Sequence, residues 1–68
     1  MLILRPLQVE SHIKKRFAVG SRLSETRLVA ELLDKHFSEA TIRRVVAIML
    51  RRGELEHQMQ RHVLYRIR

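Results

Sequence analysis

Cysteine is absent from the 68 residues, so no disulfide and no thiolate metal site can form, and four scattered histidines are the only soft ligands left. Tryptophan is absent too. The three aromatics, Phe17, Phe37 and Tyr65, all fall at positions that read as core, which leaves no row of exposed rings to stack single-stranded bases. One proline and two glycines are too few for a flexible or Pro-rich linker, and neither an internal repeat nor a low-complexity segment is present. No apolar stretch approaches the roughly 20 residues of a membrane span, so the chain reads as soluble and without a membrane partner. Met1 to Leu4 is apolar but lacks the basic start, the long apolar region and the small-residue cleavage site of a signal peptide. Acidic residues are scarce: seven Asp and Glu face fourteen Lys and Arg, a formal net charge of +7. That excess attracts a polyanion or an acidic protein surface, in preference to being merely a solvated basic face.

What is present reads as three helices and a hairpin in one small domain. Pro6 suits a first helical turn, and Val9, Ile13 and Phe17 recur every four residues with Leu7 and Ala18 beside them, predicting a helix over about 6–18 with Gly20 just past its end. Ser21 to Leu23 fits a short extended segment. Ser24 and Glu25 then open a second helix that carries Leu28, Val29, Leu32 and Leu33 and ends near His36. Glu31 and Lys35, four apart, are expected to pair on its outer face. Ser38 and Glu39 repeat the start signal for a third helix built on Ile42, Val45, Val46 and Met49, closed by Arg51, Arg52 and Gly53. Beyond Gly53, Leu55, His57 and Met59 alternate with polar residues, as do Val63, Tyr65 and Ile67 with Leu64 and Arg66. With a turn at Gln60 to His62, all six alternating residues would share one face. The turn lacks Gly and Asn, so its register is open. This order predicts an α+β winged helix-turn-helix: three helices, a short strand, and a C-terminal β-hairpin wing.

Two segments carry a resemblance: IKKRFAVGS at 13–21 and MLRRGELEHQMQRHVLYRIR at 49–68. Together they resemble the C-terminal end of subunit five of the eukaryotic minichromosome maintenance (MCM) replicative helicase. The second segment is the specific one, because an Arg-Arg-Gly-Glu helix end followed by His and Met in a strand, then Gln-Arg and Val-Leu-Tyr-Arg, exceeds what a generic winged helix requires. The resemblance covers about residues 9–68, by pattern more than identity over 26–48, and leaves 1–7 unexplained, so the chain divides into a divergent leader or boundary segment at 1–7 and a winged-helix domain at 8–68. It implies a nuclear, cell-cycle role in DNA replication, with other MCM subunits and origin-loading proteins as partners and weak, non-specific contact with DNA. It also implies that the full-length protein is an ATP-dependent helicase subunit with an AAA+ motor. This segment has neither the phosphate-loop Gly-Lys-Ser/Thr nor the acidic metal-binding strand, so it is not expected to be an enzyme or to hold a cofactor.

The outer face of the third helix carries Ala40, Arg44, Ala47 and Arg51, flanked by Thr41 and Ile48. A base-reading helix would present Arg, Asn, Gln, Ser or Thr there. Two Arg suffice for phosphate, but two Ala and a flanking Ile fit protein docking better, which makes Ala47 and Ile48 the candidate partner-binding residues. Arg44, Arg51 and the wing residues Arg61 and His62 are the candidate nucleic-acid contacts. The alternative is an independent winged-helix regulator that reads a DNA sequence through the same helix. Lys14, Lys15 and Arg16 spread around the first helix and read as a solvated face. His57 is expected among core residues with a satisfied ring nitrogen, and with His62 it lacks the third ligand a metal site needs. The only aspartate, Asp34, lies on the polar face of helix two while Ser24 and Ser38 serve as caps, so no catalytic triad can be argued.

Overall fold

A computed structural model describes residues 5–58 and 62–68. The elements follow in the order α1 (Arg5–Arg16), β1 (Arg22–Ser24), α2 (Glu25–Asp34), α3 (Glu39–Arg51), β2 (Leu55–His57) and β3 (Val63–Arg66). The α2 and α3 starts are set by the two expected serine caps. Ser24 accepts from the Arg27 N–H and Ser38 from the Thr41 N–H, with Glu25 and Glu39 in the first turns complementing the helix dipoles. Left-handed residues close the helices: Gly20 (φ 87°) follows α1, His36 (φ 71°) ends α2, and Gly53 (φ 75°) ends α3. The tight turn between α2 and α3 therefore runs through His36 and Phe37.

The core is one cluster to which every element contributes. Val9, Ile13 and Phe17 come from α1 and the residue past it, Leu28, Val29 and Leu32 from α2, and Ile42, Val45, Val46 and Met49 from α3. Leu23, Leu55 and Leu64 close it from the strands. The fold is thus the expected α+β arrangement of three helices against a small sheet. Two side chains that the spacing assigns to the helical stripes lie outside it: Leu7 is 60% exposed and Leu33 43%. Ala18 is exposed as well, because α1 stops at Arg16 and the chain turns through Gly20 before a further helical turn can form.

The sheet has the order β1-β3-β2, antiparallel throughout. Leu55 pairs with Arg66, Glu56 with Tyr65 and His57 with Leu64, while β1 adds Leu23 opposite Leu64. The register places Leu64 in the core and sets Val63 and Tyr65, both half-buried, on the other face. A shared face for Leu55, His57, Val63, Tyr65 and Ile67 is therefore wrong. A slip of one residue in a pairing of period two exchanges the faces of a whole strand. Met59 lies outside the described residues. Of the aromatics, only Phe17 is buried, and Phe37 packs partly buried against the cluster.

Arg66 ties the sheet to α1. Its Nη1 donates to the carbonyls of Lys14 (2.9 Å) and Phe17 (3.0 Å), at the end of the helix where backbone oxygens have no intrahelical partner. The expected Glu31 pairing with Lys35 is replaced by a tertiary one. Arg16 of α1 donates from Nε (2.9 Å) to Oε1 and from Nη2 (3.0 Å) to Oε2, a fork that matches the carboxylate better than a flexible ammonium can. Lys14 is exposed, in keeping with a solvated face, and its Nζ also lies 3.1 Å from Glu10 and 3.7 Å from Glu54.

Candidate functional site

Helix α3 presents one face to the core and the other outward. Ile42, Val45, Val46 and Met49 are buried, while Ala40, Arg44, Ala47 and Arg51 are exposed on the opposite side with Thr41 and Ile48 half-buried along one flank. Thr41 is occupied by the cap: its N–H donates to Ser38 Oγ and its hydroxyl accepts from that same oxygen at 2.8 Å. Neither Arg44 nor Arg51 forms an ion pair among the described residues, in contrast to Arg43 on the other flank. Four of the candidate residues, Arg44, Ala47, Ile48 and Arg51, therefore come together on one surface.

His62 belongs to a different place. It is exposed just before β3, its carbonyl accepts from the Glu25 N–H at 2.6 Å, and it lines a groove with Thr26, Val29, Arg43 and His57. None of Arg44, Ala47, Ile48 or Arg51 lines that groove. Arg61 lies outside the described residues.

Sequence reasoning missed the polar cluster at that groove. Glu25 receives His57 Nε2 at 3.0 Å and Arg43 Nη1 at 3.5 Å, and Arg43 Nε donates to Glu39 at 2.9 Å. The i,i+4 spacing of Glu39 and Arg43 is a readable signal for one link. The long-range links to Glu25 follow only from the tertiary fold, Arg43 reaching it from α3 and His57 from β2. His57 is consequently not a core histidine: its side chain is 39% exposed, and its ring nitrogen is satisfied by a carboxylate at the surface. Among the described residues no group of three His, Asp or Glu is placed to hold a metal ion.

The forked Arg16–Glu31 ion pair shifts the acid strength of both partners. The hydrogen bonds from Arg16 hold the Glu31 carboxyl below its ordinary value of 4.5, assisted by the charges of Arg16, His12 and Arg27 and opposed by partial burial. The same bonds raise the Arg16 guanidinium. This pair joins α1 to α2 away from the outer face of α3.

Three helices with a tight turn between the second and third, and a small antiparallel sheet whose last two strands form a hairpin, define a winged helix-turn-helix domain. The family model described as the MCM5 C-terminal domain matches residues 8–66. The chain is similar to the DNA replication licensing factor mcm5-A of Xenopus laevis, 44% identical over 61 residues, covering 90% of this chain and 8% of that protein. It is also similar to the licensing factor Mcm5 of Drosophila melanogaster, 45% identical over 60 residues, covering 88% of this chain and 8% of the relative. A plant relative, the licensing factor MCM5 of Arabidopsis thaliana, is 41% identical over 59 residues, covering 87% of this chain and 8% of its own. The chain belongs to the MCM5 C-terminal domain family. It spans 8% of the length of these relatives.

Proposed function

We propose that the domain is a docking module of a nuclear DNA replication licensing factor and that it joins the remainder of an MCM helicase to neighbouring subunits or origin-loading proteins. The observation that carries this reading is the outer face of α3. Its exposed side chains are two alanines and two arginines, and the one neighbouring hydroxyl, on Thr41, is held by the Ser38 cap. Such a surface lacks the bidentate amides that read adenine, and it offers apolar area at Ala47 and Ile48 for a protein partner. Arg44 and Arg51, together with Arg61 and His62, supply phosphate contact without sequence preference. The ATPase and unwinding activities belong in this reading to the rest of the protein, and the domain itself performs no catalysis.

Two measurements test it. Binding to several unrelated duplexes is expected to be equal and to collapse with salt. Replacing Arg44 and Arg51 by Glu should flatten the salt dependence by about 0.9 logarithmic units for every phosphate that is no longer neutralised. Ile48→Asp should leave the fold and this weak DNA affinity intact while removing association with MCM subunits or loaders, because it places a charge in an apolar contact. A salt-resistant preference for one duplex, abolished in Arg44→Ala and Arg51→Ala, would replace the docking module with a sequence-reading regulator.

A further inference from the structure

A second surface carries features the outer face of α3 does not explain. Between α1 and the α2–α3 turn runs a groove of about 430 Å³, lined on one side by Leu7, Ser11 and Lys15 and on the other by Lys35 and Phe37. Leu7 is the most exposed large apolar side chain among the described residues, at 60%. Phe37 is half-buried, and its ring is fixed from one side by the Arg5 guanidinium, 4.7 Å from the centroid, which itself donates to the His36 carbonyl at 2.7 Å. The floor is therefore apolar and one wall is preset.

The rim is cationic without compensation. Lys15 and Lys35 form no ion pair among the described residues, whereas Lys14, Arg16, Arg43 and Arg52 all do. No carboxylate lines the groove, and Glu31, the nearby acid on α2, is held by the Arg16 fork. We propose that this groove docks a protein segment in which acidic residues flank a bulky apolar side chain, the apolar group seated between Leu7 and Phe37 and the acids reaching Lys15 and Lys35. This deepens the docking reading and rests on it, by assigning a contact face whose lining shares no residue with the outer face of α3.

Charge selects this occupant over others. A second copy of the chain also carries +7, and Glu10, Glu25, Glu31, Glu39 and Glu54 are already in ion pairs, so self-association brings repulsion with few free acids to offset it. Residues 1–4, Met-Leu-Ile-Leu, contain no carboxylate to meet the two lysines. A nucleic-acid backbone would satisfy the lysines but would gain nothing from Leu7, whose burial needs an apolar partner.

The test is selection of random-sequence peptides displayed on phage against the 68-residue chain, followed by titration of the enriched synthetic peptides. The expected result is enrichment of Asp or Glu around a bulky apolar residue, and a loss of at least about tenfold in affinity for Leu7→Asp and for the Lys15→Glu, Lys35→Glu double variant. Ile48→Asp should leave that affinity unchanged, and circular dichroism should show every variant folded, since all the altered positions except Ile48 are exposed. Enriched peptides that lack acids, or that lose binding with Ile48→Asp and keep it with the groove variants, overturn the groove while leaving docking by α3 in place. A chain that selects no peptide at all, or that sediments as a dimer through Leu7, overturns the proposal as well. The broader reading is struck by different results: Ile48→Asp leaving association with MCM subunits or loaders undisturbed, or the salt-resistant preference for one duplex described above.

Discussion

Leu32 and Leu33 are adjacent in α2 and chemically identical, yet the fold treats them oppositely: Leu32 is fully buried against α3, and Leu33 is 43% exposed. Truncating Leu32 to Ala removes three carbon groups from the core, about 2.5 kcal/mol of transfer free energy at roughly 0.8 kcal/mol each. The rest of the core cluster is contributed by α1, α3 and the three strands as well as α2, so the space closes only in part and the cavity raises the cost to about 3–4 kcal/mol. A domain of this length has a total stability of roughly 3–10 kcal/mol, so the variant loses a large share of it. The melting temperature should drop by roughly 15–25 °C. The assay is urea and thermal unfolding followed by far-ultraviolet circular dichroism, with Leu33→Ala as the companion variant, which should lose less than about 1 kcal/mol. Equal losses for the two leucines, or a loss below about 1.5 kcal/mol for Leu32→Ala, would refute the assignment of the buried face of α2.

The sheet register makes a parallel contrast on β3: Leu64→Ala should cost about 3 kcal/mol and Val63→Ala less than about 1.5, read from the same denaturant melts, and the reverse order would mean the strand is turned over. Glu31 has a folded-state value below its ordinary 4.5, so its contribution is complete above that pH and is lost as acid carries the carboxyl through the lower folded value. Glu31→Gln should therefore show a shallower fall in stability between about pH 5 and 3 than the parent, with at most about 1 kcal/mol lost at neutral pH because the pair is partly exposed. Identical acid melts for the two would show that the Arg16 fork does not persist in solution.

The helices are legible in the sequence because their signals are local. Ser24 and Ser38 stand beside the first acid of each helix, Arg52 and Gly53 terminate α3, and the apolar spacing of Ile42, Val45, Val46 and Met49 admits one buried face. Leu7 and Leu33 mislead for the same reason, since a stripe drawn from spacing extends to the ends of a helix while the core does not. The hairpin fails differently. Two alternating strands fix their faces only through the turn between them, and Gln60, Arg61 and His62 carry no residue that dictates a turn type. Ion pairing is illegible wherever it crosses elements: Glu31 is equally spaced for Lys35 within its helix, and only the packing of α1 against the other helices delivers Arg16. At the candidate site, the grouping of Arg44, Ala47, Ile48 and Arg51 follows from helical geometry. The separation of His62 from them requires the tertiary fold.

The central place of β3 sets when this domain can exist during synthesis. Val63–Arg66 pairs on one side with β1, some forty positions earlier, and on the other with β2, while its Arg66 binds the carbonyls at the end of α1. On a ribosome the three helices emerge first, with Leu23 and Leu55 in strands whose sheet partner has not yet arrived and with the core open where Leu64 will sit. Leu64 is the last core side chain to leave the tunnel, and only then can the sheet form and the α1 terminus be secured. Such a chain is held open and adhesive until its final strand arrives. A stop codon after His57 would leave a nascent product that chaperones and proteases recognise, even though all three helices had been made.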